Sequence, residues 1–116
     1  MNYMLLIYEN EARWVGMSPD EQGKVYGEYM AFTDSIKASG HYVSGNPLSP
    51  TNTATTVRVR DGKTMSTDGP FAETREQLGG YYLIQAADLD EAIAIAARIP
   101  AVTDGSIEIR PVPQMM

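Results

Sequence analysis

The residues best suited to chemistry lie in one polar segment just ahead of an apolar strand. The tetrapeptide Asp68-Gly69-Pro70-Phe71 joins a carboxylate to a strong turn signal. A carboxylate at the mouth of a sheet, beside an aromatic ring, could act as a general acid or base. Asp-Gly-Pro also forms Asx-type turns, in which the carboxylate accepts backbone N–H groups. Asp68 is therefore either a catalytic candidate or a turn residue.

The residues after the tetrapeptide are candidate ligand contacts. Glu73 and Arg75 belong to a run of alternating charge, and Tyr81 follows the glycine pair Gly79-Gly80. With Phe71, these side chains could surround a small molecule at the start of a strand, since binding residues concentrate on loops. Runs of alternating charge are also typical of solvated surfaces, and tyrosines are common in cores and interfaces. These roles are the alternative to ligand contact.

Three further side chains extend the candidate site beyond this segment. Tyr29 lies on a predicted helix, where its hydroxyl could donate a hydrogen bond into a pocket as the second catalytic candidate. Arg58 and Arg110 lie on predicted strands and could hold an anionic ligand through bidentate hydrogen bonds. The alternative for both arginines is a solvated strand face.

The composition argues against several classes of function. Nine Lys and Arg residues against fifteen Asp and Glu residues give a net charge of −6, which disfavours direct binding of nucleic acid. The chain has no cysteine, and its single histidine, His41, cannot form a multi-histidine metal site. No glycine-rich phosphate loop is present, so we expect neither a cofactor nor a metal, with carboxylate-only metal binding left open.

The elements that position these residues follow from periodicity and capping signals. Ser18-Pro19-Asp20-Glu21 is a capping box that opens a helix ending near Gly40, and Asp88 opens a second helix that Pro100 stops. The segment after Gly40 is rich in Ser, Pro, Asn and Thr and is predicted to be a loop. The predicted strands are Tyr3–Tyr8, a hairpin of Thr55–Arg60 and Lys63–Thr67 turning at Asp61-Gly62, Tyr81–Ala86 and Ile107–Val112.

This order predicts an α+β fold of the ferredoxin-like split βαβ type. It runs β-α-β-β-α-β, with an extra strand in the middle hairpin, as a single domain over residues 1–116. The strands Tyr3–Tyr8 and Tyr81–Ala86 are apolar on both faces, but two helices cover only one face. A second copy is the simplest cover for the other face, which predicts a homodimer. No apolar run is long enough to span a bilayer and no secretory signal is evident, so we expect no membrane partner and a cytoplasmic location.

The tetrapeptide and its flanks resemble the DGPF-domain branch of the YCII-related family. The resemblance runs from Met4-Leu5-Leu6-Ile7-Tyr8 through Val57–Gly62 to Glu108-Ile109-Arg110-Pro111. It implies a dimeric α/β barrel. The better-known YCII proteins carry a helix histidine and an aspartate before a proline, which are thought to form a catalytic pair. Those positions fall at about Tyr29 and Ile99 here, so the resemblance implies that this chain does not use the same pair.

Two functions are predicted. The first is an enzyme or a binder for a small organic molecule that is anionic or aromatic. The resemblance implies that such an enzyme would be cofactor-independent and of lyase or isomerase type, as related dimeric α/β barrels are. The pocket would lie between sheet and helices and be closed by the loop that contains the tetrapeptide. The second is a protein-interaction or sensory accessory domain. It is implied by the resemblance, because similar domains occur fused to sigma-factor-like transcription proteins, which makes a sigma-factor-related protein the expected partner.

Overall fold

A computed structural model describes residues 1–114, which form a mixed α+β structure with antiparallel sheets. Among these residues there are three α-helices and six strands. The helices are α1 (Glu11–Val15), α2 (Pro19–Ala38) and α3 (Leu89–Ala96). The strands are β1 (Asn2–Glu9), β2 (Tyr42–Pro47), β3 (Thr55–Arg60), β4 (Lys63–Asp68), β5 (Gln77–Gln85) and β6 (Ser106–Val112).

Four strands form the main sheet, in the order β2-β5-β1-β6. The two strands predicted to be central, β1 and β5, pair with each other in the middle of this sheet. Burial alternates along β1, because Tyr3, Leu5 and Ile7 point to the helix-covered face. Phe32 and Ile36 of α2 belong to the same core. This arrangement is consistent with the predicted ferredoxin-like α+β fold.

The middle of the chain differs from the prediction. The segment after Gly40 is not a loop throughout, because Tyr42–Pro47 forms the strand β2 and pairs with β5 in the main sheet. The predicted hairpin is present, but β3 and β4 pair only with each other as a separate two-stranded sheet. The second main strand was therefore assigned to the wrong segment.

Both predicted helix starts are confirmed. The Ser18 hydroxyl accepts a hydrogen bond from the backbone N–H of Glu21 at 3.2 Å, and the Glu21 side chain accepts one from the Ser18 backbone. The Asp88 carboxylate accepts the backbone N–H of Glu91 at 2.9 Å at the start of α3. The short helix α1 was not predicted; the Asn10 side chain caps it, and it lies between β1 and α2.

Among residues 1–114, no helix covers the second face of the main sheet. Met4 and Leu6 of β1 lie on this open face, with Tyr81 and Leu83 of β5 beside them. These four side chains are partly exposed. The two edge strands contain proline, with Pro47 at the end of β2 and Pro111 in β6.

Among residues 1–114, no helix is long and apolar enough to cross a membrane.

Candidate functional site

A small cavity lies at one end of the main sheet, on the helix-covered side. Its volume is about 50 Å³, enough for waters or for the reacting end of a small molecule. The lining comes from the end of β1, the helices α1 and α2, and the turn before β6. The lining residues are Glu9, Asn10, Arg13, Trp14, Met17, Val25, Tyr29, Pro100, Ala101 and Asp104.

Glu9 is the ionisable group best placed for proton transfer in this cavity. Burial raises the pKa of its carboxyl above the ordinary value of 4.5; the charge of Arg13 opposes the rise, and the carboxylates of Asp104 and Glu76 add to it. Within residues 1–114 no hydrogen-bond donor contacts the Glu9 carboxylate. A carboxyl group whose pKa is raised towards neutrality is suited to general acid–base catalysis.

Tyr29 faces the same cavity from α2. Burial, and next the charge of Glu9, raise the pKa of the Tyr29 hydroxyl well above 10, while a hydrogen bond with the backbone of Ala101 opposes the rise. The phenol therefore stays protonated throughout the physiological range. It can donate a hydrogen bond to a bound molecule but cannot serve as a base.

The rim of the cavity is built from α1 and the turn before β6. Arg13 of α1 forms an ion pair with Asp104 at 3.2 Å, and both side chains are about half exposed. The Trp14 ring packs edge-on against Tyr26 at 5.1 Å between ring centroids. Gln22 donates to the Trp14 carbonyl oxygen at 2.8 Å, which ties α1 to α2. The rim thus consists of the aromatic side chain of Trp14 and the ion pair between Arg13 and Asp104.

The position of Glu9 depends on a close approach between two backbone segments. A Cβ atom at Gly105 would lie 2.2 Å from the carbonyl oxygen of Tyr8 and 3.0 Å from the Cβ of Glu9. The pairing of β1 with β5 also shifts register between Ile7 and Tyr8. Such irregularities re-aim side chains at the ends of strands. Gly105 and the register shift therefore set the direction in which Glu9 leaves the sheet.

The structure places the two catalytic candidates apart. Tyr29 lines the cavity, whereas Asp68 is the exposed last residue of β4 in the separate hairpin. Arg58 lies on the same hairpin, in β3, and is also exposed. Neither hairpin residue lines the cavity.

The remaining predicted contacts also lie outside the cavity. Phe71, Glu73 and Arg75 are exposed in the loop between β4 and β5, so this loop does not close the cavity within the protomer. Tyr81 lies on the open sheet face and accepts a hydrogen bond from Asn46 at 2.9 Å. Arg110 lies on that face too and pairs with the neighbouring side chain of Glu108 at 3.3 Å.

His41 connects the end of α2 to the start of α3. Its Nδ1 lies 2.6 Å from the Ser39 hydroxyl, and its Nε2 lies 3.1 Å from the Glu91 carboxylate. His41 does not line the cavity. The ring therefore bridges Ser39, the C-cap residue of α2, and Glu91 in the first turn of α3.

In the described part of the chain, no group of three or more His, Asp or Glu side chains is arranged to hold a metal ion.

Sequence reasoning found Tyr29 but missed Glu9. Glu9 follows directly on a continuous apolar strand, and in sequence it has the appearance of an ordinary polar strand end. The signal that could have revealed it was the Asn10 cap, which begins a helix at once and turns the chain back over the strand end.

Asp68→Asn should change the free energy of unfolding by no more than about 0.5 kcal/mol, because the carboxylate is exposed and no donor among residues 1–114 bonds to it. The turn is instead held by the Gly69 N–H donating to the Ala54 carbonyl at 2.7 Å and by the Thr56 hydroxyl donating to the Gly69 carbonyl at 2.8 Å. As a comparison, Thr56→Val should cost about 1 kcal/mol. Urea unfolding of both variants measures the difference. A loss of about 2 kcal/mol in Asp68→Asn would restore the turn role of this carboxylate.

Comparisons with known proteins give one family match and one similar sequence. The family described as "YCII-related domain" matches residues 1–116. The chain is also 38% identical over 113 residues to "Uncharacterized protein R00369" of Rhizobium meliloti (strain 1021). That alignment covers 96% of this chain and 91% of the relative.

Proposed function

The chain belongs to the YCII-related family, and from that premise we propose that it binds a small organic molecule at the Glu9–Tyr29 cavity and transfers a proton there without a cofactor. The observation that carries the proposal is the meeting of two complementary groups in one cavity. Glu9 has a carboxyl pKa raised by burial, and Tyr29 has a hydroxyl that stays protonated. Such a pair can remove a proton from a bound molecule and donate a hydrogen bond to the oxygen on which charge develops.

The location of the cavity supports the proposal. The resemblance to YCII proteins placed the positions of their histidine and aspartate at about Tyr29 and Ile99. The cavity is lined by Tyr29 and by Pro100, which directly follows Ile99. Ile99 itself is fully buried and apolar. In this chain Glu9, from the end of β1, supplies the ionisable group that those two positions lack.

The charged groups around the cavity narrow the class of ligand that we expect. The carboxylates of Asp104 and Glu76 lie close enough to raise the pKa of Glu9, and Arg13 is the cation that opposes them. The two arginines expected to hold an anion, Arg58 and Arg110, lie elsewhere. We therefore favour an uncharged molecule that carries a carbonyl or hydroxyl group, with an apolar or aromatic part resting against Trp14.

The alternative of an interaction or sensory accessory domain receives less support. A pocket filled by the side chains of Tyr29, Phe71 and Tyr81, beside an exposed apolar patch outside the dimer interface, would favour that function. Phe71 is instead 79% exposed and Tyr81 lies on the open sheet face, so the cavity remains accessible.

We also propose that the protein is a homodimer formed through the open sheet face. Met4, Leu6 and Leu83 lie together on this face and are left partly exposed by the protomer. Apolar surface of this kind on a central sheet is typically covered by a second subunit. The expected interface is of standard size, about 800 Å² on each partner.

A thermal-shift screen against a library of uncharged carbonyl and hydroxyl compounds tests the ligand proposal. A compound that binds the native cavity raises the melting temperature. Tyr29→Phe should weaken that compound's affinity by about two- to tenfold, through the loss of one hydrogen bond. His41→Gln is the matched control and should bind as the parent does, because His41 lies outside the cavity. If Tyr29→Phe bound as tightly as the parent while His41→Gln lost the response, the site would lie in the segment after Gly40 instead.

A further inference from the structure

The hairpin formed by β3 and β4, here called the arm (residues 55–68), stands apart from the main sheet. Its strands pair only with each other. Every arm residue except Thr56 is exposed. An isolated two-stranded hairpin is marginally stable in water, and a third strand or a packing surface is normally needed. The arm therefore lacks a supporting surface within the described protomer.

The dimensions of the protomer lead to the same conclusion. Its Cα radius of gyration is 16.2 Å, whereas a compact chain of this length is expected to have about 13 Å. The principal extents are 48 × 47 × 19 Å, which describe a broad and thin body. A protomer of this shape leaves much of its surface available to another molecule.

The arm has two chemically different faces. Val57 and Val59 share one face and are 62% and 58% exposed. The opposite face carries Arg58 and Arg60, with Lys63 paired to Arg60. Exposed valines on a strand with no covering layer are a feature of contact surfaces.

The arm and the rest of the chain carry net charges of opposite sign. The arm contains three cations and two carboxylates, whereas the whole chain has a net charge of −6. The rest of the chain, here called the body, therefore carries a net charge of −7. A positive arm and a strongly negative body are complementary, and such charge distributions steer association between molecules. The body of another copy is thus a favourable surface for the arm.

We propose that each arm docks on the body of a second copy: the net positive charge of the arm attracts it to that body, and the face of Val57 and Val59 then makes the contact. This inference deepens the proposed homodimer and rests on it. In a two-fold dimer the contact occurs twice, so each copy both extends an arm and receives one. The arms supplement the interface made by the open sheet faces.

Site-directed cross-linking tests the contact. Because the chain has no cysteine, a thiol-reactive label attaches only at the introduced position. In Val57→Cys a benzophenone label should cross-link the arm to a second copy on irradiation. Mixing unlabelled and ¹⁵N-labelled protein identifies intermolecular products by mass spectrometry. The matched control is Val15→Cys, a valine of α1 that is 73% exposed and should give less than a tenth of the dimer product. Cross-links only within one copy, no cross-link, or equal yields from both positions would overturn the proposal.

A charge reversal tests the complementarity independently. Arg58→Glu should raise the dimer dissociation constant about tenfold at low salt, and the increase should shrink at high salt. Lys24→Glu makes the same change in charge on an exposed position of α2 and should have less than a twofold effect. Sedimentation equilibrium measures both variants. Equal effects from the two variants would overturn the proposal.

Light scattering on the parent protein distinguishes failure of the arm contact from failure of the proposed homodimer. Twice the chain mass, with no cross-link from position 57, would reject the arm contact and keep the sheet-face dimer. The mass of a single chain at micromolar concentration would reject both the arm contact and the sheet-face dimer. Neither result bears on ligand binding at the Glu9–Tyr29 cavity, which the thermal-shift screen tests separately.

Discussion

Gly105→Ala should destabilise the protein by about 3 kcal/mol and lower its melting temperature by about 10 °C. The added Cβ atom would lie 2.2 Å from the Tyr8 carbonyl oxygen and 3.2 Å from the Cα of Glu9. Both are backbone atoms of β1, so neither can turn away as a flexible side chain would. The start of β6 must move away from the end of β1, and the pairing of Tyr8 with Ser106 is lost first.

Gly23→Ala is the matched control for this substitution. Gly23 lies inside α2, and a Cβ atom there would meet nothing within 4 Å. The same change of residue should therefore stabilise the protein by about 0.5–1 kcal/mol, because alanine favours the helix interior. Thermal and urea unfolding measure both variants. Similar stabilities would mean that β1 and β6 are more loosely joined near Glu9 than the structure indicates.

The second large effect is expected at Glu9. If its carboxyl transfers the proton, Glu9→Gln should lower the turnover of a substrate identified by the screen by about 10²- to 10⁴-fold. The amide keeps the size of the side chain but cannot exchange a proton. Asp34→Asn removes a carboxylate from an exposed position of α2 and should leave turnover unchanged. Equal turnover in Glu9→Gln and the parent would remove Glu9 from the mechanism.

The pH dependence of stability gives a second measurement on the same variant, without a substrate. Because the pKa of Glu9 is raised in the folded protein, the native state holds this proton more tightly than the unfolded chain does. The Glu9 contribution to stability is therefore fully present below the unfolded pKa, about 4.5, and is lost as the pH rises through the folded value. Glu9→Gln should not show this decline. Its stability relative to the parent should increase with pH from about 4.5 upwards, whereas that of Asp34→Asn should not.

The sequence predicted the elements whose signals are local. The N-terminal caps at Ser18 and Asp88 located α2 and α3, because each cap depends on side chains within four residues of one another. The apolar runs located the two central strands, since these are covered on one face by the helices and are apolar on the other. The hairpin at Asp61-Gly62 was also predicted correctly.

The second strand was missed because its composition reflects contacts made elsewhere in the fold. Tyr42–Pro47 contains glycine, asparagine and proline, which in sequence favour a loop. In the structure a Cβ atom at Gly45 would lie 2.7 Å from the Tyr82 ring, so this glycine leaves room for a core aromatic side chain. Of the two groups proposed to act in the cavity, the sequence predicted only Tyr29, for a similar reason. Tyr29 belongs to a recognisable helix, whereas Glu9 gains its properties from burial, which no local pattern of residues reports.

The prolines on the edge strands bear on how the protein can aggregate. Pro47 ends β2 and Pro111 lies within β6, and a proline has no N–H group to offer a neighbouring strand. Growth of the main sheet by strand addition, the first step towards fibrils, is therefore hindered at both of its margins. The protein can be concentrated with a lower risk of edge-to-edge polymerisation, and face-to-face contacts remain open to it. Substituting threonine for either proline would open a margin of the sheet to that polymerisation.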